Sequence, residues 1–79
     1  MSITIAGTIQ RVNLGPGAWA LQDETAGTTY ELYNNGPEPL RQDGLKVKVE
    51  GKVRPDVMTF AAIGPVLDVQ SFEILTTGT

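Results

Sequence analysis

The 79-residue chain has no cysteine and no histidine. Without cysteine there is no disulfide. A domain this small buries only about 60% of its unfolded surface, so apolar packing alone must hold it together. Losing both residue types removes the usual zinc, iron and copper ligand sets. It also removes Cys–His and Ser–His nucleophile pairs and the side chain that ordinarily acts as a base near neutral pH. No metal and no other cofactor is expected. Carboxylates such as Asp23, Glu31 and Asp68 are not spaced as an acid–base pair, so no catalytic residue is assigned and a non-enzyme is expected. Cations are also few: six Lys and Arg stand against nine Asp and Glu, for a net charge of −3. That balance argues against a general attraction to nucleic acid or anionic lipid. No apolar run approaches a membrane span. Met1-Ser2-Ile3-Thr4-Ile5 lacks the basic and apolar regions of a secretion leader. The expectation is a cytoplasmic protein that stays off the membrane.

What is present is an alternation of period two, in a chain that is 41% hydrophobic. Over residues 3–12, Ile3, Ile5 and Ile9 take one face, and Gly7 between them predicts a bend or bulge. Gly15-Pro16-Gly17 predicts a turn. Trp19 and Leu21, then Tyr30 and Leu32, form the inner face of a hairpin closed at Asp23-Glu24-Thr25-Ala26-Gly27, where Gly27 can supply a positive φ. Packing in the core is the favoured role for Trp19 and Tyr30. Residues 37–43 are the one stretch with helical character, a turn or two long, with Gly44 as its stop and Leu40 as its core anchor. The fourth strand alternates strictly: Leu45, Val47, Val49, Gly51 and Val53 point inward, and Lys46, Lys48, Glu50, Lys52 and Arg54 outward. Residues 57–62 read as a short strand or a strand-like loop. The last strand covers residues 66–75. Its parity slips near Ser71, and a bulge there would bring Leu67, Val69, Phe72 and Ile74 all inside. Residues 76–79 read as a frayed tail. There is no repeat or linker, so residues 1–79 read as one domain. The fold class is all-β: a small Greek-key barrel of five strands, or six if 57–62 pairs, with one short helical turn between strands three and four.

Gly44-Leu45-Lys46-Val47-Lys48-Val49-Glu50-Gly51-Lys52-Val53, followed after a variable turn by Leu67-Asp68-Val69-Gln70-Ser71-Phe72-Glu73-Ile74-Leu75, resembles the closing half of OB-fold domains. The glycine-interrupted first strand and the hairpin from Ala18 to Leu32 are similar to their opening half. The likeness extends to small bacterial OB-like barrel proteins of uncharacterised function. It implies a barrel with its helical break between the third and fourth strands. Fold alone does not select the ligand.

Two kinds of partner follow, with protein or peptide favoured over nucleic acid. OB domains often bind single strands on the outer face of strands two and three. Here that face carries Ala18, Ala20, Gln22, Thr29, Glu31 and Tyr33: one ring, one carboxylate and no cation. Tyr33 is its candidate exposed ring. Lys46, Lys48, Lys52 and Arg54 form the alternative nucleic-acid contact, although a solvated strand face explains them more simply. Asp23, Glu24 and Glu31 lack the spacing of an EF-hand loop and read as surface charge. Met58-Thr59-Phe60-Ala61-Ala62-Ile63-Gly64-Pro65-Val66 is apolar for longer than a half-buried strand requires. Either it is buried on both sides, the favoured role in so small a domain, or part of it is exposed and marks a protein contact or a self-association surface, with Met58, Phe60 and Ile63 as the binding residues. A monomer or weak homo-oligomer is expected.

Overall fold

The computed structural model describes residues 2–13, 17–57 and 63–76. Five strands, β1 (Ile3–Val12), β2 (Ala18–Asp23), β3 (Thr29–Leu32), β4 (Lys46–Val53) and β5 (Val66–Thr76), close into a barrel in the order β1-β2-β3-β5-β4. The only helical pieces among the described residues are 3-10 turns at Tyr33–Asn35 and Glu38–Leu40, both between β3 and β4. This architecture is compatible with an OB-like fold. No helix among the described residues is long and apolar enough to cross a membrane.

The pairing of β1 runs through Gly7 without the bulge expected there; the glycine falls instead where β1 changes partners. Ile3 to Thr8 pair with β4 and Gly7 to Val12 pair with β2, so Gly7 and Thr8 are flanked on both sides. A Cβ at Gly7 would run into the carbonyl oxygen of Gln22. The hairpin from β2 to β3 is built by Asp23. Its Oδ1 accepts from the N–H of Thr25 at 2.8 Å and of Ala26 at 3.2 Å, and Gly27 turns the chain at φ 76°. This side-chain capture of the following amides is the reason aspartate favours such turns. The barrel closes along its one parallel contact, Glu31 beside Val66 and Leu32 beside Leu67.

The inward faces follow the alternation. Ile5, Ile9, Leu21, Leu32, Leu45, Val47, Val49 and Leu67 are buried together, with Trp19 and Tyr30 packed against them. Leu40, lodged in the second 3-10 turn, is fully buried with them. The helical stretch expected over 37–43 is therefore only Glu38–Leu40, and its role as an anchor stands.

Two expectations need correction. Tyr33 does not continue β3. The strand ends at Leu32, and a 3-10 turn follows in which Asn34 and Asn35 take positive φ. Asparagine tolerates that conformation, so the pair breaks the strand early. The bulge near Ser71 does exist. Glu50 pairs with Ser71 and Gly51 with Val69, leaving Gln70 extra, and β5 shifts again opposite Lys46 and Val47. The bulge turns Phe72 and Ile74 to the same side as their buried partners Val49 and Val47, yet they remain 39% and 42% exposed. Beyond Leu67, no strand among the described residues lies on the other side of β5. The short 3-10 turns give no helix long enough to cover it.

Candidate functional site

The free side of β5 is built by a difference in strand length. β3 is four residues long and β5 eleven, and they share only the two pairs at Val66 and Leu67. Among the described residues, no backbone hydrogen bond reaches residues 68–76 from the side away from β4. Phe72, Ile74 and Leu75 on this stretch, with Val53 on β4, are the exposed large hydrophobic residues of the described chain. Unpaired backbone groups and uncovered apolar side chains thus coincide. Residues 68–76 contain no lysine, arginine or proline, so of the features that usually block edge pairing this stretch has only its two bulges and the carboxylates Asp68 and Glu73. A shallow groove of about 360 Å³ is lined by Thr4, Lys48, Glu50, Ser71, Phe72 and Glu73. Ser71 Oγ donates to Glu50 Oε1 across it at 3.5 Å.

The outer face of β2 and β3 is occupied. Ala20 is fully buried, and its cross-strand neighbour Glu31 is only 5% exposed. The N–H of Ile63 donates to Glu31 Oε1 at 3.3 Å, and the N–H of Glu31 donates to the carbonyl of Pro65 at 2.8 Å. The chain entering β5 therefore lies against β3 and takes up the buried carboxylate. Ile63 itself is half-buried. Met58 and Phe60 lie outside the described residues.

Arg11, Arg41, Lys46 and Arg54 have local contacts, whereas Lys48 and Lys52 only stand opposite carboxylates in register. On β4, Lys46 sits 3.7 Å from Glu24, Lys48 faces Glu73, and Lys52 faces Asp68. Arg54 is held by Asp68 at 3.1 Å and Asp56 at 3.5 Å, and its guanidinium lies 5.7 Å from the centre of the Tyr33 ring. Tyr33, half-buried, thus carries a cation on its face. The hydrogen bond from Arg54 to Asp56 leads in raising the arginine's pKa above its ordinary value. Asp56 is held below the usual aspartate value, first by a backbone hydrogen bond and then by Arg54. Arg11 lies 5.9 Å from the centre of the Trp19 ring, and Arg41 donates to the carbonyls of Asn35 and Gly36. Lys46, Lys48, Lys52 and Arg54 do share one outward strand face, but carboxylates are interleaved along it.

The apolar edge at Phe72, Ile74 and Leu75 was missed in sequence, although the parity slip at Ser71 marked the place. The burial of Glu31 had no sequence signal, because its parity puts it on the outward face. In comparison with known proteins, no family model, curated protein or solved structure matches the chain.

Proposed function

We propose that this domain is a non-enzymatic interaction module of OB-fold kinship that binds polypeptide, taking an extended segment against the free edge of β5. The observation that carries the reading is the coincidence, at residues 68–76, of a strand edge unpaired among the described residues with the uncovered side chains of Phe72, Ile74 and Leu75. Strand addition uses both at once: backbone hydrogen bonds supply affinity, and alternate side chains supply selectivity. The strand order and the position of the 3-10 turns support the kinship.

A single-stranded nucleic acid is the less supported partner. Phosphate tracking needs cations free to release counterions, and here carboxylates or rings lie beside Arg11, Lys46, Lys48, Lys52 and Arg54. Base stacking needs open rings, and Tyr33 lies beneath Arg54.

The test is an amide NMR titration of the labelled domain with two probes. One is a pool of short peptides of alternating apolar and polar residues; the other is a mixed-sequence single-stranded oligonucleotide at low salt. Peptide-induced shifts clustered on residues 68–76 and lost in Phe72→Glu are expected. Oligonucleotide shifts on residues 18–33 and β4 that vanish with added salt, with no peptide response, would replace this reading with the nucleic-acid one.

A further inference from the structure

This inference rests on the reading of β5 as a docking edge and names the strand that docks there. We infer that the occupant is β5 of a second copy of this chain, antiparallel to the first about a two-fold axis through Phe72. The argument is self-complementarity of the edge. With Phe72 on the axis, Phe72 faces Phe72, and Ser71 faces Glu73 on either side of it. No like charges stand directly opposite. Moving the axis one residue forward sets Glu73 against Glu73, and like charges directly opposite are destabilising. Moving it one residue back sets Glu73 against Val69 and Phe72 against Gln70.

The rows running across the sheet agree with that register. Within one copy, Ile5, Val49 and Phe72 lie in one row and Ala6, Lys48 and Glu73 in the next, with Thr4, Glu50 and Ser71 in a third. The two-fold extends the apolar row unbroken from Ile5 of one copy to Ile5 of the other. It joins the second row to the partner's third, so the sequence becomes Lys48, Glu73, then the partner's Ser71 and the partner's Glu50. Ser71 already donates to a carboxylate within its own copy. Phe72, uncovered in the monomer, is the side chain this pairing covers most, against its own copy. A two-fold is also the simplest closed symmetry, and it leaves no further copy of this edge to extend a fibre.

Sedimentation equilibrium from micromolar to near-millimolar protein tests it. The mass should rise from 8.5 kDa toward twice that value. Phe72→Glu, which sets two carboxylates across the axis, should weaken dimerisation at least about tenfold with an unchanged circular dichroism spectrum. Register is tested separately with Phe72→Cys in a chain that has no other cysteine. Mild oxidation should give a disulfide-linked dimer, while Glu73→Cys stays monomeric because its own copies are too far apart to bridge. A mass of 8.5 kDa at every concentration overturns the inference. So does a dimer indifferent to Phe72→Glu, or one that cross-links through Glu73→Cys in preference. If the protein is monomeric but peptides still shift residues 68–76, the self-pairing alone fails. If neither occurs, the docking reading falls with it.

Discussion

Asp56 and Arg54 are two positions apart, and their exposed side chains meet at 3.5 Å across a turn in which the N–H of Val57 donates to the carbonyl of Arg54. Because the folded pKa of Asp56 is depressed, its charged form favours the folded state. That contribution is fully present above the unfolded aspartate value of about 3.9. It is lost as the pH falls through the lower folded value. Exposure and screening keep it small. Asp56→Asn should therefore lower the melting temperature slightly at pH 7, and the difference from the unsubstituted protein should close in strong acid. Melting curves across that pH range decide it; a gap that persists in acid would show that the aspartate acts through shape and not charge. Glu31 is a different kind of acid. It is buried and carries an amide donor from Ile63, so its work is to hold two pieces of chain together.

At the scale of the strand, Gly7 matters most. β1 serves two neighbours, and the switch is possible because backbone from β2 comes where a side chain would stand. Gly7→Ala should cost about 1–3 kcal/mol, as overpacking of a filled site does, read as a lower denaturation midpoint with an unchanged slope. An unaltered midpoint would mean that β1 and β2 can move apart to admit the methyl group. That Gly7 is a special position was legible in sequence because a glycine interrupted a run of isoleucines, although what it serves is a close approach of backbone, and the inward face of β4 was legible because its alternation is unbroken. The end of β3 was not. Tyr33 fits the strand's parity, and only the left-handed turn at Asn34 and Asn35 removes it. The exposure of Phe72 and Ile74 could not be read either. Parity tells which way a side chain faces, whereas burial depends on whether another element reaches that side, and here none of the described ones does. Side-chain direction on β5 was set locally, while its covering depended on how far β3, distant in sequence, runs beside it.

Across the whole molecule, the ladders are unequal. β4 joins β5 along eight residue pairs and β1 along six, but the seam between β3 and β5 has two. Barrels of this kind open by sub-global steps whose cost follows the contacts broken. The amide of Glu31, bonded across the seam to Pro65, should exchange its hydrogen faster than the central amides of β4, such as that of Val49. Native-state exchange measures this directly, and equal protection at both places would mean that the barrel opens only as one unit. The seam has one more consequence, for the order in which the chain is made. β5 is the last of the five strands, and it alone joins β3 to β4. During synthesis β1, β2, β3 and β4 can align, but they remain an open ribbon with two bare edges. The ring closes only after the chain has been extended through β5, so the step that seals the barrel comes last in time.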